Sequence, residues 1–360
     1  MRPVHFLGIF IPTAVGLEIA HASPVLVFSA AALGVIPCAA VMGEATEAIA
    51  AKTGPGIGGL LNVTFGNAPE LIIAFFALLE GLQEVVKASI VGSIIGNVLL
   101  VLGAAMVVGG AKRDKQVFSQ TAAHAQSAML TLALAALIFP ALFQLIHGGG
   151  LPGVGEARVN FGSELEKLSF GVAIILIVSY GLGLLFSLKT HRAVFNPYGA
   201  EQEDEDHSWS MKRAGIFLAV SALLVGLMSE ILVGSISEAS KDIGLSEFFV
   251  GVFVVAIVGN AAEHWVAVLV AAKDKMDLAV NIAIGSSAQI ALFVAPILVL
   301  ASFVIGPDPM ALVFNGYELG GLLFAVLIAN LVTQDGESNW FEGVQLLALY
   351  AVLGLVFFFA

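Results

Sequence analysis

The chain has 360 residues, of which 59% are hydrophobic and 12% charged, with 39 glycines and a formal net charge of −12. A surface that meets water on all sides needs far more charge, so a soluble globular protein is excluded and an integral membrane protein is indicated. The one cysteine, Cys38, cannot form an intrachain disulfide or a cysteine-based metal site and reads as packing.

Apolar runs of about 20 residues are long enough to cross a bilayer as helix. They predict spans near residues 4–20, 24–51, 56–79, 84–109, 117–146, 164–187, 212–240, 246–272, 276–305, 310–332 and 339–359. The expected architecture is an all-α integral membrane protein of eleven transmembrane helices. Ala20-His21-Ala22 could pass for a cleavage site after an apolar leader, but Pro12 and Glu18 fit a leader poorly, and the first span is expected to stay in place. The loop at 147–163, with Gly148-Gly149-Gly150 and Pro152, reads as flexible and external. The segment 188–211 carries the run Glu201-Gln202-Glu203-Asp204-Glu205-Asp206 and reads as an acidic cytoplasmic linker, either a plain solvated connector or an element that draws cations toward the protein.

Orientation follows from the fifteen Lys and Arg. With the N-terminus in the cytoplasm, eleven of them fall on that side: Arg2, Lys52, Lys112, Arg113, Lys115, Lys189, Arg192, Lys212, Arg213, Lys273 and Lys275. Only Lys87, Arg158, Lys167 and Lys241 fall outside. The bias places the N-terminus inside and, with an odd number of spans, the C-terminus outside.

A stretch then recurs. Gly66-Asn67-Ala68-Pro69-Glu70 and Gly259-Asn260-Ala261-Ala262-Glu263 lie 193 residues apart, as do Gly92-Ser93 and Gly285-Ser286. Upstream, Gly43-Glu44-Ala45-Thr46-Glu47-Ala48 resembles Gly234-Ser235-Ile236-Ser237-Glu238-Ala239 at an offset of 191. This is an internal duplication. It divides the chain into an N-terminal transmembrane helix (1–22), a first five-helix repeat (23–187), the linker (188–211) and a second five-helix repeat (212–360). Five is odd, so the repeats insert with opposite orientation, the plan of many secondary transporters.

Carboxyl groups inside a membrane are costly and point to function. Glu70 and Glu263 are therefore the expected metal-binding carboxylates. A backbone break is expected near Gly66 and near Gly259, where unwound carbonyls could face a cavity, with Asn67 and Asn260 beside each Glu. Gly66, Asn67, Ser93, Asn97, Gly259, Asn260, Ser286 and Gln289 are expected to line the site; interhelical hydrogen bonding is the plain alternative for the polar ones. Glu44, Glu47, Glu230 and Glu238 are weaker candidates, near helix ends. His124, His147 and His264 are not expected to be ligands.

An oxygen-rich site without thiols suits a hard divalent cation such as Ca²⁺. Burial favours the neutral acid of a carboxyl group and a helix N-terminus favours its anion, so a group held between the two can exchange a proton for a metal ion. Competition of that kind at one site is enough for antiport. The chain has no phosphate-binding Gly-x-x-x-x-Gly-Lys-Ser/Thr motif and no His-Glu-x-x-His, which argues against a self-contained ATP-driven pump and a zinc protease; it reads as no enzyme. The rivals are exchange with Na⁺, transport of Mn²⁺ or another divalent ion, and a passive cation channel.

The residues Gly259-Asn260-Ala261-Ala262-Glu263-His264 and Gly285-Ser286-Ser287-Ala288-Gln289-Ile290, with Gly66-Asn67-Ala68-Pro69-Glu70, Gly92-Ser93 and Asn97, resemble the two repeats of the Ca²⁺/H⁺ antiporter family of the calcium/cation antiporter superfamily. The resemblance spans nearly the whole chain. It implies one extra N-terminal helix before two inverted five-helix halves, separated by an acidic helix, and export of Ca²⁺ from the cytoplasm in exchange for H⁺. It implies Glu70 and Glu263 as the central cation carboxylates, Asn97 and Gln289 along the route, and Glu47 and Glu238 with Glu230 as outer cation or proton stations; Glu44 is expected as a further such station. Gly96 departs from the pattern, because many relatives carry Ser before the Asn. The implied setting is the plasma (inner) membrane, with Ca²⁺, protons and lipid as partners, no nucleic acid and no cofactor; a homo-oligomer is left open.

Overall fold

Apolar side chains on every face of a long helix leave it no stable place in water, whereas in lipid the helix satisfies its own backbone groups. Eight such helices, each long and apolar enough to cross a membrane, occur in a computed structural model that describes residues 3–155, 163–190 and 209–360. In chain order the helices are α1 (Val4–Ile19), α2 (Pro24–Gly66), α3 (Ala68–Leu79), α4 (Gln83–Gly110), α5 (Gln120–Ile146), α6 (Glu164–Thr190), α7 (Met211–Ile243), α8 (Glu247–Ala272), α9 (Met276–Ser302), α10 (Gly316–Val332) and α11 (Trp340–Phe358). Of these, α1, α3 and α10 are the shorter apolar ones. The acidic run at 201–206 lies outside the described residues.

Several boundaries differ from expectation. The predicted spans 24–51 and 56–79 do not part at Gly54-Pro55; the helix runs on to Gly66 and breaks at Asn67, where φ −96° and ψ 17° leave the helical path. Gly and Pro make a helix costlier without forcing it to stop. Pro69 then sits in the first turn of α3, where no N–H is required. The predicted span 310–332 starts late, because Asn315 and Glu318 form a reciprocal capping box that fixes the first turn of α10. Residues Met310 to Phe314 before it are buried in non-helical form. Ser119, Ser210 and Ser246 cap α5, α7 and α8 by accepting from Ala122, Arg213 and Phe249 backbone N–H groups.

The chain divides into two units that each draw on both sequence halves. The first comprises Met1–Phe76, Gly181–Gly244 and Val258–Ala262. In it α2 packs along α7 and α1. Cys38, Met42 and Val225 form a buried cluster against Ile11, Ile72 and Leu218, so Cys38 is core packing, as expected.

The second unit comprises Ala77–Tyr180, Leu245–Ile257 and Glu263–Ala360. At one end the start of α4 meets the segment after α9: Gln83 Nε2 donates to Asp308 O at 2.8 Å and Lys87 Nζ to Val313 O at 2.9 Å. At the other, the segment after α4 meets the start of α9: Arg113 Nε lies 3.3 Å from Asp274 Oδ1, Gln116 Nε2 donates to Ala271 O at 3.1 Å, and Ser119 N donates to Asp277. The two helices therefore run antiparallel. Between the ends, Ser287 Oγ approaches Ile94 O at 3.5 Å. A short antiparallel pairing of Gln116-Val117 with Glu337-Ser338 ties the α4–α5 connection to the one before α11. Along α4, Gly103 meets α11 with almost no gap: a Cβ there would stand 2.9 Å from Gly343 O.

Candidate cation site

Glu70 stands in the first turn of α3, directly after the break at Asn67, and is 9% exposed, while Asn67 is 1% exposed. Within the same unit, Gly259 lies against it: a Cβ on Gly259 would be 3.2 Å from Glu70 Cγ and 3.4 Å from Oε1. Gly259 thus leaves room for a carboxyl group. Asn260 next to it is fully buried. Gly66 ends α2 immediately before the break.

The second expected break is absent. The segment Ala256–Ala272 passes through Gly259 and Glu263 as regular helix. An Ala262 where the first copy has Pro69 keeps the N–H that an unbroken helix needs. The irregularity lies just upstream instead, in a widened i→i+5 turn at Val250–Val255. Two further widened turns, Gly96–Val101 in α4 and Ile290–Val294 in α9, stand at corresponding places in the duplicated stretches, since 290 − 97 and 294 − 101 are both 193. Such turns loosen the regular backbone ladder and recur at functional positions.

In the second unit Ser286 Oγ donates to Glu263 Oε2 at 2.8 Å. Ser286 is 7% exposed, so this is a buried, charge-assisted contact when the carboxyl is ionised. Asn97, 1% exposed in its widened turn, meets His264 with Nε2···Oδ1 at 3.0 Å. Sequence reasoning set His264 aside as a non-ligand. The structure gives it a different part, holding the amide of Asn97, and its place beside Glu263 was the only signal. Ser93 is buried in α4, and Gln289 is half-buried at the end of the regular part of α9.

Each unit thus gathers its own share of the expected residues: Glu70, Asn67, Gly259 and Asn260 in the first, Glu263, Ser286, Asn97, Ser93 and Gln289 in the second. The four outer acidic residues all belong to the first unit. Glu44 on α2 is half-buried with His5 Nε2 at 3.7 Å, while Glu47 on α2 and Glu230 and Glu238 on α7 are exposed. Among the described residues no three His, Cys, Asp or Glu side chains cluster as a ready metal site. Hard cations also accept amide, hydroxyl and backbone oxygens.

The sodium/calcium exchanger protein family matches residues 23–189 and 214–359 of the chain. The chain is 45% identical to a Ca(2+)/H(+) antiporter of Aphanothece halophytica, covering 98% of this chain and 95% of that protein. It is 44% identical to the Ca(2+)/H(+) antiporter ChaA of Bacillus subtilis (strain 168), covering 97% and 96%. Among solved structures, that of the selenium-substituted Ca2+/H+ antiporter protein YfkE is 39% identical and superposes with a TM-score of 0.83 over the full length of both chains.

Proposed function

We infer the function from one premise: this chain belongs to the sodium/calcium exchanger protein family. It is a multi-pass membrane protein and a Ca²⁺/H⁺ antiporter, akin to relatives that share over two-fifths of its residues across nearly their whole length. We propose further that Glu70 and Glu263 hold either Ca²⁺ or protons, that Asn67, Asn97, Asn260, Ser93, Ser286 and Gln289 line the site, and that only loaded forms exchange access between the two sides. The observation that carries this reading is the treatment of both carboxyls: one is buried against a glycine that makes room for it, the other is met by a buried serine hydroxyl.

Eleven spans arranged as two inverted five-helix repeats, 23–187 and 212–360, complete the proposal. The antiparallel course of α4 and α9, whose matching positions lie 193 residues apart, supports it. The end of the second unit that carries Arg113, Lys115, Lys273 and Lys275 is assigned to the cytoplasm by the positive-inside rule, with the N-terminus inside and the C-terminus outside. Glu44, Glu47, Glu230 and Glu238 then serve as outer stations for cations or protons, and the acidic linker is cytoplasmic. Ca²⁺ leaves the cell as protons enter.

The family's own description names sodium, which makes Na⁺ the alternative coupling ion. Everted membrane vesicles separate the two. An imposed pH gradient is expected to drive Ca²⁺ uptake without Na⁺; uptake that follows a Na⁺ gradient and ignores pH would overturn proton coupling, and Ca²⁺ flux with no counterflow would mark a channel.

A further inference from the structure

The duplicated helices α4 and α9 present the same register of positions in opposite chemistry. Along the α4 face Ala88, Gly92, Gly96 the first two positions are closed by α8: a Cβ on Gly251 would stand 2.8 Å from Ala88 Cβ, and Gly92 abuts the Val252 carbonyl, whereas a Cβ on Gly96 would meet nothing within 4 Å. On α9 the corresponding face, 193 residues on, reads Asn281, Gly285, Gln289. Residues four apart lie above one another on a helix, so this is a polar stripe with a bare gap at its centre. Gln126 of α5 fills that gap. Its side chain donates to Asn281 Oδ1, and its Nε2 would stand 3.4 Å from a Cβ on Gly285.

Gln126 is an unusual residue to find there. It is 8% exposed, and its Oε1 is buried with no hydrogen-bond partner among the described residues; the neighbouring Ser127 hydroxyl, 6% exposed, is in the same position. Leaving such oxygens unsatisfied costs about 1–3 kcal/mol each. Asn281, by contrast, is exposed. From Asn281 the helix rises about 7.5 Å, at 1.5 Å per residue, to Ser286, whose hydroxyl meets Glu263. The exposed amide of Asn281, the buried amide of Gln126 and the side-chain-free Gly285 thus form steps toward the carboxylate. They start from the end of the unit that holds Arg113 and Lys273.

We propose that Gln126 and Asn281 form a carboxamide station through which a divalent cation, partly stripped of water, passes between the cytoplasm and Glu263. The hard, uncharged oxygens replace hydration without trapping the ion, and so favour Ca²⁺ over ions that prefer nitrogen or sulfur. This rests on the antiport reading.

The test is Ca²⁺ uptake into everted vesicles driven by a pH gradient, with KM and Vmax resolved for wild type, Gln126→Leu, Gln126→Asn and Asn281→Ala. Gln126→Leu is expected to raise KM for Ca²⁺ about tenfold with Vmax within about twofold, Gln126→Asn to recover part of the loss, and Asn281→Ala to fall between. Should Gln126→Leu fail to accumulate, Asn281→Ala decides, because an exposed side chain can be shortened without opening a cavity. An unchanged KM in an active protein, or a loss confined to Vmax, overturns the station alone. An inactive wild type overturns the antiport reading and the station with it.

Discussion

Gly81 and Asp274 hold the same place in the two copies of the duplicated stretch, 193 residues apart, and both turn through the left-handed region, with φ of +75° and +64°. Each ends the Glu-bearing helix of its copy and aims the chain into the next, α4 or α9. Asp tolerates this conformation better than most residues, and Arg113 and Gln116 hold its carboxylate. Gly81 has no such support, and a Cβ there would meet Pro307 Cγ at 2.9 Å. Gly81→Ala should therefore destabilise the protein by about 1–2 kcal/mol, visible as a lower melting temperature in detergent, while Asp274→Gly should lose less, because its backbone is relieved as its ion pair is lost. Equal losses would show that the turn conformation is not what the two positions share.

The close approach of α4 and α11 gives a second prediction. Gly343 would carry a Cβ 2.5 Å from Gly103 O and 2.7 Å from Val107 N, both rigid backbone. Small residues let helices in lipid meet this closely. Gly343→Ala should force the helices apart and cost about 1–3 kcal/mol, and Gly343→Leu should prevent accumulation of folded protein. A melting temperature unchanged by Gly343→Ala would contradict the packing.

At Gly259 the expected loss is of binding rather than of folding. A methyl group 3.2 Å from Glu70 Cγ must push the carboxyl aside. Gly259→Ala should raise KM for Ca²⁺ about tenfold with little change in thermal stability, since the helix around it is regular and Ala is the better helix former. A stability loss with unchanged KM would assign Gly259 to packing.

Ser286 probes the other carboxyl. Loss of its 2.8 Å bond to Glu263 in Ser286→Ala removes about 1.5–3 kcal/mol of charge-assisted interaction, so the Ca²⁺ KM should rise by at least about tenfold, while Ser286→Thr, which keeps the hydroxyl, should stay close to wild type. Transport by Ser286→Ala that matches wild type would detach this serine from the site.

Much of this was legible in the residues. The apolar runs of about 20 residues marked the helices because a helix of that length satisfies its own backbone in lipid, and the 193-residue register singled out Glu70 and Glu263 as a repeated pair of carboxyls in apolar sequence. The helix running through Gly54-Pro55 was not legible, since these residues only bias the backbone and neighbours decide. Nor was the unbroken helix at Gly259: without Pro69's counterpart the second copy keeps its ladder and moves its irregularity to Val250–Val255. The bond from His264 to Asn97 joins residues 167 positions apart, which no local pattern encodes.

The most direct test of competition between metal and protons needs no membrane. Purified protein in weakly buffered detergent solution with a pH indicator should release protons when Ca²⁺ is added, Glu70→Gln and Glu263→Gln should each release fewer, and the double variant should release none. Proton release by the double variant that matches wild type, or Ca²⁺ binding to wild type with no release at all, would contradict the account.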